Sequence, residues 1–520
     1  MKRIALMLAL LMLVASLVSC AAPAPAESTA APEPTQAPAV TEAPEATAEP
    51  EPTEAPEPTE EPAPVLRETF GSVAAYGTMP TPEYKDVAVH DPSVIRADDG
   101  NYYIYGSHMA AAKTDDFMHW ELISRDASTG CTLVENVQKE MEEALTWAHT
   151  GTFWAPCVTQ LNDGRYYFYY CTCQGSSPLS ALGVAVADKP EGPYKNLGVF
   201  LHSGMAAYNA TQLPNVIDPH TFFDKEGKLW MVYGSYSGGI FILQMDPETG
   251  FPLPDQEYGT KLLGQNHARI EAPYIVYAPE TDYYYLFLSF GGLEAGDGYN
   301  IRVARSKNPD GPYEDAEGQE MIKCGGKPGT FFNDPDYEPY ATKVMGSYQF
   351  LAPTEGGNEG RCYLSPGHNS VYHDEEKGEY YLIFHTRFAR TDAFSVRVHR
   401  LFLNEDGWFT ASPTRYSGEE VAPVPEEGRA GVYRLLCHEH DINGKAHESV
   451  NAVLYSDGAV EGDVNGSWSC EDGTHITITL DGVTYKGQMN AGYDESQKAW
   501  TTVFTAMNDK GVSLWGIRNK

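Results

Sequence analysis

The sequence predicts an all-β fold: a five-bladed β-propeller followed by a smaller C-terminal β domain. Three observations carry that expectation. A hairpin unit recurs five times between residue 86 and about residue 410. Tyrosine is in surplus, with 33 Tyr against 20 Phe and 8 Trp, and it gathers at one place in that unit. No segment of the body shows a convincing helical period.

The units run in order. Asp91-Pro92-Ser93-Val94 leads to Tyr102-Tyr103, and Ala155-Pro156-Cys157-Val158 leads to Tyr166-Tyr167. Asp218-Pro219-His220-Thr221 leads to Leu229-Trp230, and Ala272-Pro273-Tyr274-Ile275 to Tyr283-Tyr284. His368-Asn369-Ser370-Val371 leads to Tyr380-Tyr381. Between the two halves of each unit lies a turn, such as Asp98-Asp99-Gly100 or Asn162-Asp163-Gly164. Strand, tight turn and aromatic strand make a hairpin signature. Weaker strands follow at Leu182 to Ala187 and Asn300 to Ser306. Several strands per repeat and five repeats fit a propeller, whereas a β-sandwich does not repeat one hairpin so regularly.

The first 64 residues differ in kind. Met1-Lys2-Arg3 and the apolar run Ile4 to Val18 read as an export signal, too short to span a membrane comfortably. It ends in Leu17-Val18-Ser19-Cys20, which resembles a bacterial lipobox. That resemblance implies a lipid anchor at Cys20. Residues 21–64 hold 12 of the 36 prolines and no Lys, Arg or aromatic residue, so they are expected to form an extended tether. The chain carries a net charge of −36, of which −8 falls in residues 1–64. A surface this acidic excludes nucleic acid as the main partner. Eight cysteines besides Cys20 are too sparse for a disulfide scaffold, with Cys437 and Cys470 as candidates for one bridge.

In a propeller the innermost strand of each blade lines a central channel. The residues at the head of those strands are Asp91, Trp154, Asp218, Glu271 and His368. Two carboxyls on either side of an acetal can hydrolyse it, one protonated as acid and one ionised to activate water. A third raises the acid's pKa by like-charge repulsion. A single Asp-Pro is usually a turn former, but two at the same repeat position, with a Glu in register beside them, point to catalysis. Trp154 is either core or a stacking platform for a sugar. His368 is open to a structural, metal-binding or basic role. Gly234-Ser235-Tyr236-Ser237-Gly238 matches a nucleophile elbow, but Ile240 to Leu243 after it reads as strand, so it is taken as a turn. His438-Glu439-His440 reads as exposed and polar.

These residues resemble glycoside hydrolase family 43, and within it the endo-1,5-α-L-arabinanases of two-domain extracellular type. The carriers are Val89-His90-Asp91-Pro92, Phe153-Trp154-Ala155-Pro156, Val216-Ile217-Asp218-Pro219, Ile270-Glu271-Ala272-Pro273 and Gly367-His368-Asn369-Ser370-Val371. Ser180 to Gly183 and Tyr299 to Ser306 look similar too. The resemblance implies inverting hydrolysis of arabinan, with Asp91 as general base, Glu271 as general acid and Asp218 as pKa modulator. It further implies that His368 helps hold a calcium ion (Ca2+) and that Trp154 and His90 touch substrate. Residues 307–366 form a long insertion between the fourth and fifth repeats. Residues 415–520 resemble the C-terminal β-barrel of such enzymes. The expected domains are thus an export signal (1–20), a tether (21–64), a propeller (65–412) and a β domain (415–520), acting as a monomer. The rival readings are an exo-acting α-L-arabinofuranosidase or β-xylosidase on the same scaffold, and a non-catalytic glycan-binding lipoprotein.

Overall fold

The computed structural model describes residues 67–520 apart from 206, 354–356 and 392. The expected export signal, Cys20 and the tether lie outside the described residues. Five blades follow one another along the chain, four of them antiparallel four-stranded sheets and the fifth an antiparallel four-stranded blade extended to six strands by Tyr348–Gln349 and His447–Glu448, which pair with each other in parallel. Their innermost strands are Ser93–Arg96, Cys157–Gln160, His220–Phe223, Ile270–Ala278 and Tyr363–Asp374. Each pairs with the aromatic strand after it, in the register Arg96↔Tyr102, Gln160↔Tyr166 and Phe223↔Leu229 in the first three blades. The turns between them need a left-handed residue. Gly100, Gly164, Gly227 and Gly378 supply it, and Asp282 does so in blade IV. The expected weak strands are the third strands of blades II and IV, Ser180–Ala187 and Asn300–Ser306.

The tyrosine surplus has a packing reason. Apolar clusters fill each of the five gaps between neighbouring blades, including the one between blades V and I. The rings of Tyr105, Tyr169, Tyr233 and Tyr285 are buried there, each contributing about 1.5–3 kcal/mol of burial. Their hydroxyls still have partners: the carbonyls of Pro190 (2.7 Å), Gly250 (3.0 Å), Tyr258 (2.8 Å) and Gly407 (2.5 Å). Phenylalanine would fill the same gap but leave those loop carbonyls unbonded.

Among the described residues no strand is exchanged between the first and last blades, since blade I is built from residues 93–124 and blade V from residues 363–415. The seam is closed by packing of Val89, Tyr102 and Ile104 against Tyr381, Ile383 and Val396. Asp86 adds ion pairs to Arg397 (3.2 Å) and Arg415 (2.7 Å) across it.

Blade V ends at Arg415, three residues past the boundary read from the sequence. The C-terminal domain is a closed eight-stranded barrel whose first strand, Gly431–His438, pairs with its last, Ser513–Arg518. Residues 67–81, counted with the propeller on sequence, run along this barrel instead. Trp500 donates to the Pro80 carbonyl (2.7 Å), Arg518 to that of Gly71 (2.9 Å), and Tyr76 meets Thr502 at 3.1 Å. The 307–366 segment is only partly an insertion, because Thr342–Met345 is the outermost strand of blade IV. His438 was expected to be exposed but is fully buried, its ring 4.1 Å from that of Trp515, because it closes the core between barrel and propeller. None of the eight cysteines among the described residues is bridged, Cys437 and Cys470 included. No helix among the described residues is long and apolar enough to cross a membrane.

Candidate active site

The heads of four blades are held in a backbone conformation that side chains rarely adopt. Asp91 (φ 57°), Asp218 (55°), Ala272 (54°) and His368 (48°) are all left-handed. Such residues cost on the order of 1–3 kcal/mol each and persist where the surrounding fold over-determines them. The propeller does so here, and the result is that Asp91, Asp218 and Glu271 converge, all buried.

Asp91 is the most heavily tied. Its Oδ2 accepts from the Ser107 hydroxyl and lies 2.8 Å from His90 Nδ1. Its Oδ1 is 3.1 Å from His368 Nδ1. Its backbone N–H donates to His385 Nδ1 at 3.2 Å. Burial opposes ionisation of this carboxyl, but the positive fields of His368 and His90 and their hydrogen bonds win, holding it well below the usual carboxylate range. An ionised carboxylate is the state a general base requires.

Glu271 is held from both sides: Ser235 donates to Oε2 at 2.7 Å and Tyr299 to Oε1 at 2.8 Å. Burial raises its pKa, against the field of His368 and these two hydrogen bonds. Asp218 accepts from the Ala272 N–H at 3.3 Å. Burial first, then repulsion from Glu271 and Asp91 against the field of His368, pushes Asp218 up to about 8. The site therefore has one carboxyl whose pKa is lowered and a neighbouring pair whose pKa values are raised, which is the division an acid–base hydrolase needs.

The Gly-His-Asn-Ser-Val run of blade V is explained residue by residue. A Cβ at Gly367 would sit 2.1 Å from the Tyr299 ring, so only glycine leaves Tyr299 free to reach Glu271. The His368 N–H donates to Ser289 Oγ (2.8 Å), whose hydroxyl donates to Asn369 Oδ1 (3.1 Å). Ser370 donates to the Pro92 carbonyl at 2.7 Å, tying blade V to the residue after Asp91. Burial opposes a charged His368 ring, yet Asp91, Asp218 and Glu271 push it up to about 9.

Trp154 stands at the equivalent head of blade II, half-buried against the cluster between blades II and III. His90 keeps a partly exposed edge, with its ring stacked 4.0 Å from that of His385. Sequence reasoning missed His385, Ser107, Ser235 and Tyr299. Ser235 lies in the glycine-flanked turn set aside as structural; a strand, Ile240–Met245, does follow it, but its hydroxyl serves Glu271. His385 lies inside a second strand, where nothing in the pattern marks it. The histidine–carboxylate group whose ligand atoms all lie within 4.8 Å of one another is His90, Asp91 and His385, while His368 joins it through Asp91. Among the described residues no hydrogen bond engages His368 Nε2. A neutral histidine that donates one ring N–H to a carboxylate while its other nitrogen is free is the usual arrangement of a metal-ligating imidazole, so a cation at His368 would take the place of the proton that the three carboxyls favour on Nε2.

A propeller with three buried carboxyls at its channel, one with a lowered pKa and two with raised ones, defines a glycosidase of the two-carboxylate class. The model of glycosyl hydrolases family 43 matches residues 85–335, and that of the family's C-terminal lipocalin-like domain matches residues 413–516. The extracellular endo-alpha-(1->5)-L-arabinanase 2 of Bacillus subtilis is 52% identical, over 84% of this chain and 94% of its own. The corresponding enzyme of Thermotoga petrophila is 47% identical, over 84% and 95%. Among solved structures, a family 43 glycoside hydrolase from Bacillus licheniformis superposes with a TM-score of 0.81 at 51% identity, covering 84% of this chain and all of that one. The Thermotoga petrophila endo-1,5-alpha-L-arabinanase does so with a TM-score of 0.80 at 45% identity, with the same coverage. The chain belongs to glycoside hydrolase family 43.

Proposed function

We propose that the protein is an exported endo-arabinanase that cleaves internal α-1,5-L-arabinofuranosidic bonds of arabinan with inversion. The observation that carries this reading is the split among three buried carboxyls at the head of the channel, in a chain closely similar to two named endo-arabinanases. Asp91 takes a proton from a water whose oxygen attacks the anomeric carbon. The bond from that carbon to the leaving O5 breaks as Glu271 gives its proton to O5. Asp91 ends protonated and Glu271 ionised, and solvent resets both. Asp218 keeps the acid's proton in place before the step by opposing a second negative charge. Trp154 and His90 line the approach of the sugar. Digestion of linear arabinan tests the reading: short oligosaccharides are expected, whereas arabinose alone would establish the exo-acting rival and no cleavage the binding-module one.

The pH dependence follows from the two environments. Asp91 stays ionised far into the acid range, so kcat/KM should hold as pH is lowered. The acid must be protonated, so kcat/KM should fall as pH rises through the raised pKa of the Asp218–Glu271 pair. Asp218 and Glu271 ionise as a pair, so the first negative charge on the pair opposes the second; Asp218→Asn removes that opposition and makes Glu271 easier to ionise. The alkaline limb should then move to lower pH, which a pH–rate profile reads; a limb that stays put removes Asp218 from this role.

A calcium ion held at His368, with water completing its shell, would supply positive charge beside Asp91 and favour the ionised base. Chelation should lower both the melting temperature and kcat/KM, with calcium restoring them. In His368→Ala the melting temperature should no longer respond to calcium.

The two named relatives are called extracellular, which supports export. A lipid anchor at Cys20 would hold the enzyme at the cell surface on its 21–64 tether, working as a monomer. Cys20→Ser should then move it from the membrane fraction to the medium.

A further inference from the structure

The 307–366 segment carries two adjacent phenylalanines that the fold does not bury. Phe331 is 66% and Phe332 40% exposed, and they are the two aromatics among the large exposed hydrophobic side chains of the described residues. Burying a Phe side chain is strongly favourable, so a neighbouring pair left in water forgoes a substantial contribution. The pair is also ordered by its surroundings. The two rings lie 4.1 Å apart, Phe332 meets Tyr236 edge-on at 5.2 Å, and Phe331 lies 5.0 Å from His267. Phe332 has a φ of 53°, a strained value for a bulky residue.

The segment is fastened to the chain that leads into the acid. Gly264 N–H donates to the Cys324 carbonyl (2.8 Å), Gly326 N–H to that of Gln265 (3.1 Å) and the Asn266 side chain to that of Gly326 (2.8 Å). A Cβ at Gly326 would lie 2.7 Å from the Asn266 carbonyl, so glycine is required for this approach. Arg269 Nε donates to Asp334 at 3.0 Å, and its N–H to the Tyr337 hydroxyl at 3.0 Å. Two residues beyond Arg269 is Glu271. On the other side, Tyr236 directly follows Ser235, the residue that donates to Glu271, and its own N–H donates to the Ile270 carbonyl at 2.9 Å. Phe332 N–H donates to the His267 carbonyl at 3.2 Å. The exposed pair is thus one ring removed from the turn that holds the general acid.

We infer that Phe331 and Phe332 form a distal sugar-binding platform that takes an arabinofuranosyl unit of the same polysaccharide chain, beyond the units at the scissile bond. This rests on the arabinanase reading above. A polymer cut internally continues past the acid, and this pair is an exposed aromatic surface joined through Tyr236 to the turn that holds Glu271. The C–H faces of a furanose are apolar and stack on aromatic rings, while its hydroxyls remain in water.

The test compares the wild type with Phe331→Ala/Phe332→Ala. The ratio of kcat/KM on arabinohexaose to that on arabinotriose should fall about tenfold, and Phe331→Trp should retain it. A melting curve confirms that the double variant is folded. An unchanged ratio overturns the platform. An equal loss on both substrates overturns it too, since the segment would then act only by supporting Glu271. Binding gives a second readout: on a Glu271→Gln background, arabinohexaose should bind about tenfold more weakly without the two rings, and equal affinity overturns the inference. If wild type binds arabinohexaose through these rings but never cleaves arabinan, the arabinanase reading fails and the platform stands.

Discussion

Glu271→Gln is expected to lower kcat/KM on linear arabinan by about three orders of magnitude, roughly 4 kcal/mol of lost barrier reduction. The glutamine keeps both contacts in outline, since Ser235 and Tyr299 still face an amide of the same shape. What disappears is the proton for the leaving oxygen. The loss should therefore depend on the leaving group. An aryl arabinofuranoside whose phenolate leaves unaided should lose far less than arabinan, whose sugar alkoxide cannot leave unprotonated. Asp91→Asn should cost a similar factor on both substrates, because water activation is needed for each. Equal losses for Glu271→Gln on the two substrates would remove it from the acid role. Parallel melting curves separate chemistry from folding.

Arg302→Met should cost the protein about 3–5 kcal/mol of stability, read from denaturant unfolding. Arg302 is fully buried in blade IV. Its guanidinium donates to Asn300 Oδ1 (2.8 Å) and to the carbonyls of Glu338 (2.5 Å), Tyr340 (2.7 Å) and His440 (2.9 Å). The first three belong to the propeller's fourth repeat and the segment after it, and the last follows the first barrel strand. Methionine fills the stem's volume but leaves these acceptors dry and unpaired. Lysine should not rescue, because one ammonium cannot reach so wide a fan of acceptors. Lys343 nearby already serves Glu439 and Asp441 in that way. A loss below about 1 kcal/mol would mean the joint between barrel and propeller does not depend on this side chain.

The propeller was legible because its repeat sits in short-range features. A left-handed turn residue and an aromatic strand, opened by two tyrosines in four of the five units, recur at nearly fixed distance, and both follow from local sterics and from the gaps between blades. The three carboxyls were legible for the same reason, being heads of repeats. His385 was not, because its meeting with Asp91 depends on how blades V and I face each other across the seam. Ser235 was misread through its context: Gly-x-Ser-x-Gly asks whether a serine is a nucleophile, and here its hydroxyl serves a carboxyl from another blade. His438 was misread because polarity stood in for burial, while the surface it closes belongs to two domains at once. Residues 67–81 looked like an approach to the propeller because the barrel they touch is made last.

That last point bears on how the enzyme comes into being. Asp91 is among the first residues of the body to be synthesised, yet the imidazole whose field does most to keep it ionised, His368, and the one that accepts its backbone N–H, His385, come nearly 300 positions later. Among the described residues the seam they span has no exchanged strand to close it early. Blade I must therefore wait, with its edge unpartnered, until blade V is complete, and the residues before blade I wait longer still for the barrel. Such long-range closure slows folding. It also means that a chain interrupted anywhere before blade V has a carboxyl at position 91 without the His368 field that holds it ionised, so the charge pattern of the site arrives only with the finished ring.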